Sequence, residues 1–181
     1  MTLKFCSECG APVERMTPEG DHLPRAVCTA CRTVLYENPR VVVGCVPEWQ
    51  GQILLCRRAI EPRHGFWTAP AGFLEIGESL HAAAARETAE EALAEVEVGS
   101  MLCLVNVLHA AQVHVMFRAQ MRSAQHGAGL ESLETRLFDE QQIPWDELAF
   151  QSIRFALERY IADRREQREA LHFHDILWRP R

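Results

Sequence analysis

Along this chain, apolar and polar positions alternate in some stretches and recur every third or fourth residue in others. Arg40 to Val46 (RVVVGCV) and Gln52 to Cys56 (QILLC) are β-branched or apolar runs, separated by the turn-forming pair Gln50-Gly51. They predict two strands joined as a hairpin. Gln112 to Met121 places Val113, Val115 and Phe117 on one side against polar partners, the period-two signature of a half-buried strand. Leu133 to Phe138 is a weaker version of the same pattern. Ser79 to Leu93 is rich in Ala, lacks Gly and Pro, and starts on a serine suited to an N-cap, which predicts a helix. Trp145 to Arg168 carries Leu148, Ile153, Ala156, Leu157, Tyr160 and Ile161 near helical spacing, which predicts a second one. Strands interleaved with a central and a terminal helix imply a mixed α/β layer fold.

Residues 1 to about 38 differ from the rest. They lack long apolar runs and hold four of the seven cysteines. Cys6-Ser7-Glu8-Cys9 and Cys28-Thr29-Ala30-Cys31 are two CxxC knuckles with eighteen residues between them. Each knuckle can present two thiolates to one ion, and four thiolates complete the tetrahedron of a structural Zn²⁺ site with no open position. A segment this short cannot bury enough apolar surface to fold alone, so metal binding supplies folding free energy, roughly 10–16 kcal/mol. Cys45, Cys56 and Cys103 sit in apolar strand contexts and read as core residues.

The 181 residues are 48% hydrophobic and carry a net charge of −6, enough for one full core with a small appendage. An acidic chain has no bulk attraction for nucleic acid, so a nucleic-acid partner is not expected. The start lacks a signal-peptide pattern and no apolar stretch is long enough to cross a membrane, so a cytoplasmic protein is expected.

The chemistry concentrates between Gly65 and Leu93. Glu87, Glu90 and Glu91 stand at i, i+3 and i+4, on one helix face within about 100°. A solvated acidic face would cost little, about 0.2–0.5 kcal/mol per like-charge pair. The loop upstream changes the balance. Pro70 to Glu78 (PAGFLEIGE) brings two glycines and two more acids, and oxygen ligands grouped this way suit hard cations such as Mg²⁺ or Mn²⁺.

Gly72, five residues, Glu78, seven residues, and then Arg86-Glu87-Thr88-Ala89-Glu90-Glu91 resembles the Nudix box. It departs from the family pattern at Leu93, where a glycine is usual, and at the flanking positions Thr88 and Ala94. The resemblance implies a Nudix α/β/α sandwich with a mixed sheet over 39–170, preceded by a zinc ribbon over 1–38 and followed by a tail over 171–181. It implies Glu87, Glu90 and Glu91 as Mg²⁺ or Mn²⁺ ligands with the carbonyl of Ala71, and Glu78 and Arg86 as braces between loop and helix. Glu75 becomes a further ligand or orienting group, and Glu131 a late metal-binding acid. The implied reaction is hydrolysis of the diphosphate bond in a nucleoside diphosphate joined to another group.

Cys9-Gly10, Pro18 to Asp21, Tyr36 to Pro39, Pro62 to Trp67 and Ile143 to Trp145 resemble a zinc-ribbon Nudix group linked to FAD and ADP-ribose, with AMP as a product. NADH pyrophosphatases share that architecture but carry Ser-Gln-Pro-Trp-Pro-Phe-Pro after the box. Val105 to Val115 (VNVLHAAQVHV) lacks that motif, which ranks FAD and ADP-ribose first and NADH or NAD second. A non-enzymatic ADP-ribose or nucleic-acid binding module is the alternative of another class. Phe66, Trp67 and Trp145 could stack on a substrate ring or pack in the core. A homodimer is expected from the resemblance. Ile176, Leu177 and Trp178 need a cover, either this chain's own domain or a second subunit.

Overall fold

The computed structural model describes residues 3–177, which fall into two compact units, Met1–Asn38 and Pro39–Arg181. The first unit holds the strands β1 (Val13–Met16), β2 (Arg25–Cys28) and β3 (Val34–Leu35), in an antiparallel sheet ordered β1-β2-β3. Arg25 donates through Nε to Asp21 Oδ2 at 2.8 Å across the β1–β2 turn, and this bond holds the Asp21 carboxyl down at about 2.

The second unit is built on one mixed sheet. Its strands are β4 (Arg40–Trp49), β5 (Gln52–Arg58), β6 (Trp67–Thr68), β7 (Ala71–Phe73), β8 (Val96–Val107), β9 (Gln112–Met121), β10 (Ser132–Phe138) and β11 (His172–Ile176). The order is β10-β5-β4-β9-β8-β11, with β6 paired to β5 and β7 to β4. The β4–β9 and β8–β11 pairs are parallel and the other pairs antiparallel. The β4–β5 turn is tight because Gln50 and Gly51 both take positive φ, 48° and 86°, which matches the twist of the flanking strands.

Two helices cover the faces, α1 (Leu80–Ala92) and α2 (Gln151–Arg165). Strand alternation decides which side chains meet which helix. Val43, Cys45, Val115 and Phe117 pack with Ala83 and Ala84 of α1. Val46, Leu55 and Met116 pack with Ile153, Ala156, Leu157, Tyr160 and Ile161 of α2. The fully buried Ile153 and Leu157 each contribute about 1.5–3 kcal/mol relative to exposure. The architecture is the α/β/α sandwich implied by the sequence. No helix among the described residues is long and apolar enough to cross a membrane.

Three elements differ from the sequence reading. The second helix starts at Gln151, because Leu148 bridges to Trp67 and Ala149 N–H donates to Trp67 O at 2.8 Å. That pairing pulls the segment after the Trp145–Glu147 turn into extended form. The long strand β8 escaped notice because its register shifts between Val98 and Cys103 break the alternation. The segment read as a tail adds β11 to the sheet edge, and Ile176 is buried in the chain's own core. Trp178 lies outside the described residues.

Candidate active site

Ser79 opens α1 by accepting from Ala82 N–H at 3.2 Å. The helix then carries Glu87, Glu90 and Glu91 towards a cleft of about 1480 Å³, lined also by Ala71, Gly72, Glu75, Arg86 and Glu131. Glu87 and Glu91 are buried, whereas Glu75, Glu90 and Glu131 are exposed.

Arg86 ties the upstream loop to this helix. Its Nε and Nη2 donate to the two oxygens of Glu78 at 2.8 and 3.0 Å, and Nη2 also donates to Phe73 O at 3.1 Å. Its Nη1 reaches Glu87 at 2.7 Å and Glu90 at 3.0 Å. The bidentate contact holds the Glu78 carboxyl below the usual carboxylate range. Glu87 behaves otherwise: burial raises its carboxyl above the usual range even with Arg86 beside it. Glu91 accepts from Ala71 N–H at 3.2 Å, but burial pushes it up to about 7. Two buried carboxylates thus lack sufficient positive charge, the condition a divalent cation relieves. The donor set is all oxygen, which fits Mg²⁺ or Mn²⁺. Gly72 completes the cradle, because a Cβ there would fall 2.3 Å from Glu87 Oε1.

The far end of α1 explains Leu93. It takes the left-handed conformation, φ 47°, where glycine is usual, and its N–H closes on Ala89 O. The loop between β9 and β10 caps two more carbonyls of α1: Gly127 N–H donates to Ala92 O at 2.8 Å and Gly129 N–H to Glu91 O at 3.1 Å. The approach is close, as a Cβ on Gly129 would lie 1.7 Å from Glu90 O. Two residues later the chain delivers Glu131 to the cleft, fixed by Ala59 N–H on Glu131 O at 2.8 Å.

The aromatic candidates divide between the two alternatives, stacking and core packing. Trp67 is buried, packed edge-on against Phe138 at 4.9 Å, because its pairing with Arg57 turns it into the core. Phe66 and Trp145 border an adjoining hollow with Arg154, and that hollow shares Arg63 and Phe150 with the acidic cleft. Among the described residues the phenyl rings that line the acidic cleft are those of Phe73 and Phe150, beside the imidazoles of His109 and His114. Sequence reading also passed over Arg58, which continues the alternation of Leu54 and Cys56 on one face of β5 and is buried beside the acids. That alternation was the available signal.

In the first unit, the four sulfurs of Cys6, Cys9, Cys28 and Cys31 lie within 4.8 Å of one another. Cys9 Sγ is 3.4 Å from Cys28 Sγ and 3.5 Å from Cys31 Sγ, and Cys6 Sγ is 3.7 Å from Cys31 Sγ. A tetrahedron with Zn–S bonds of about 2.3 Å has edges of about 3.8 Å, so the quartet fits zinc. Glu8 N–H points at Cys6 Sγ and Cys31 N–H at Cys28 Sγ, both at 3.4 Å, which favours thiolates. Hydrogen bonding to Thr33 holds the Cys31 thiol down at about 6.

Residues 38–169 match the family model described as NUDIX domain, and residues 4–37 match the one described as Nudix N-terminal. The chain belongs to the Nudix family. A NUDIX hydrolase from Nitrosomonas europaea superposes with a TM-score of 0.93 at 48% identity, over 96% of this chain and 99% of that one. The NAD-capped RNA hydrolase NudC of Salmonella heidelberg is 39% identical over 90 residues, 49% of this chain and 32% of that protein. The mouse mitochondrial NAD(P)H pyrophosphatase NUDT13 is 31% identical over 114 residues, 63% of this chain and 29% of that protein. The matches to these two curated relatives thus span about a third of their length.

Proposed function

We propose that this Nudix chain hydrolyses the diphosphate bond of a nucleoside diphosphate joined to a second group, with FAD, ADP-ribose and NAD(H) as the substrate class and AMP as a product. The observation that carries it is the convergence of Glu87, Glu90, Glu91 and Glu131 on one cleft, with two of these carboxylates buried and short of positive charge. Mg²⁺ or Mn²⁺ bound there would neutralise the diphosphate and lower the pKa of a coordinated water.

The chain's own residues do the positioning. Glu87, Glu90 and Glu91, with the carbonyl of Ala71, would hold the cation. Arg86 and Glu78 fix the loop against the helix, so that the ligands are in place before substrate arrives. Zinc on the cysteine quartet is structural and takes no part in the reaction. FAD and ADP-ribose rank first on the sequence between Val105 and Val115. The relatives named for NAD caps and NAD(P)H bring the nicotinamide dinucleotides in beside them.

A panel of FAD, ADP-ribose, NADH and NAD with Mg²⁺ or Mn²⁺, read as AMP release, tests the reading. Glu91→Gln preserves shape and removes the charge, and should cut turnover by orders of magnitude with the fold intact. Wild-type turnover in that variant at saturating Mg²⁺ would refute the site. The expected homodimer is supported by Leu171, just before the edge strand β11, and Phe173 within it, both exposed. Light scattering decides it, and a strict monomer at micromolar concentration rejects it.

A further inference from the structure

The four cysteines of the first unit are not equivalent. Cys6 and Cys28 are buried, whereas Cys9 and Cys31 are exposed. The difference follows from position. Cys28 ends β2, the middle strand of the small sheet, while Cys9 and Cys31 each sit in the turn that closes a knuckle. The backbone shelters the buried pair further, since the Glu8 N–H is directed at Cys6 Sγ and the Cys31 N–H at Cys28 Sγ.

The exposed pair is also a close pair, with one sulfur from each knuckle. Cys9 Sγ and Cys31 Sγ lie 3.5 Å apart. A disulfide brings two sulfurs to about 2.05 Å, so the bond needs a shift of about 1.5 Å shared by two side chains that solvent already reaches. The other three cysteines have no such route. Cys45, Cys56 and Cys103 are fully buried in the main sheet. Burial pushes the Cys45 and Cys103 thiols up to about 12, so they stay protonated and unreactive.

We infer that Cys9 and Cys31 form an oxidation site, at which hydrogen peroxide exchanges the zinc for a disulfide between the two knuckles. One thiolate attacks a peroxide oxygen, the O–O bond breaks, and hydroxide leaves a sulfenic acid behind. The second thiolate attacks the sulfenic sulfur and displaces a second hydroxide. The two sulfurs together give up two electrons, and one peroxide becomes two hydroxide ions. Zinc loses two of its four ligands and departs. The choice of pair decides what remains. A bond inside one knuckle would release the two knuckles from each other. The Cys9–Cys31 bond ties them across 22 positions of chain that include β1 and β2. The small sheet therefore persists, and a thiol reductant reverses the change.

The test uses the full zinc-loaded chain, treated with a small molar excess of hydrogen peroxide beside a chromogenic zinc chelator. Hydrolysis plays no part in it, so its outcome is independent of the proposed reaction. About one zinc per chain should be released, and a thiol reductant with added zinc should restore the loaded form. Remaining thiols are alkylated before digestion. Trypsin cuts after Lys4, Arg15, Arg25 and Arg32, so the bond should join peptides 5–15 and 26–32 in one species. Fragmentation of that species should find Cys9 bonded to Cys31, with Cys6 and Cys28 alkylated. Substitution of a ligand removes zinc whatever its redox role, so a second measurement on the wild type replaces it. Iodoacetamide should label Cys9 and Cys31 of the intact loaded chain several-fold faster than Cys6 and Cys28. Zinc retained in excess peroxide overturns the site. So does zinc loss with any other pairing, with sulfinic acid in place of a disulfide, or with equal labelling of the four thiols.

Discussion

Gly72 and Glu87 share a space that leaves no room for one more carbon. A Cβ on Gly72 would sit 2.3 Å from Oε1 and 2.4 Å from Oε2 of the glutamate. The obstructed group is the far end of a flexible side chain, so the protein can respond by swinging the carboxylate out of the cleft. Gly72→Ala should therefore fold and melt nearly as wild type does. Its turnover should fall about 100-fold, the cost of a ligand displaced by an ångström. Paired melting curves and AMP-release assays check this, and an active Gly72→Ala variant would remove Glu87 from the reaction.

Gly129 makes the opposite case. Its missing Cβ would lie 1.7 Å from the backbone oxygen of Glu90, which cannot move without unwinding the end of α1. Gly129→Ala should lose about 1–3 kcal/mol of stability or more. It should also lose activity through Glu131, which the same loop carries. Denaturant unfolding separates the two glycines, since only the second should shift the midpoint.

Such contrasts show what a sequence makes readable. The acid triplet and the cysteine knuckles were legible because their chemistry is local: spacing on one helix, or within one turn, already brings the side chains together. Leu93 was noticed as a departure, but its consequence was not readable. The loop that caps the helix around it, Gly127 to Gly129, lies far along the chain. For Trp67 the sequence leaves ring stacking and core packing both open, and strand pairing with Arg57 decides it by burying the ring against Phe138. Strand β11 has no local signature either, since the partner it pairs with, β8, comes long before it in the chain.

The cysteine quartet predicts a metal count and an order of failure. Protein purified without added metal should contain about one zinc per chain by elemental analysis. Cys28→Ser removes a buried ligand from a unit with few other means of holding together. Proteolysis should then cut within 1–38 first, and the box should keep its turnover per folded 39–181 unit. A zinc-free wild type, or one with two disulfides, contradicts the assignment.

The link that holds β11 is Asp163, and it makes the C-terminal strand sensitive to acid. Asp163 is 1% exposed and accepts from Arg118, from Arg168 Nε at 3.1 Å and from Ala170 N–H at 3.2 Å, with His172 Nε2 at 3.0 Å. Arg118 in turn donates to Met101 O in β8 and to Ala170 O just before β11. Burial alone would push the Asp163 carboxyl up. The hydrogen bonds from His172, Ala170 and Arg168 outweigh it and hold the group at about 2, below its ordinary 3.8. A depressed carboxylate pKa contributes stability that is complete above the unfolded value and lost as pH falls through the folded one. The contribution should therefore hold down to about pH 4 and disappear between about pH 4 and pH 2. Asp163→Asn should flatten that part of the melting profile. At neutral pH it should cost about 3 kcal/mol, because the half-buried Arg118 is left without its counter-charge. Hydrogen exchange should show the loss first at 172–176, where β11 pairs with β8. A variant with wild-type exchange in that strand and an unchanged acid limb would mean that sheet pairing alone retains β11.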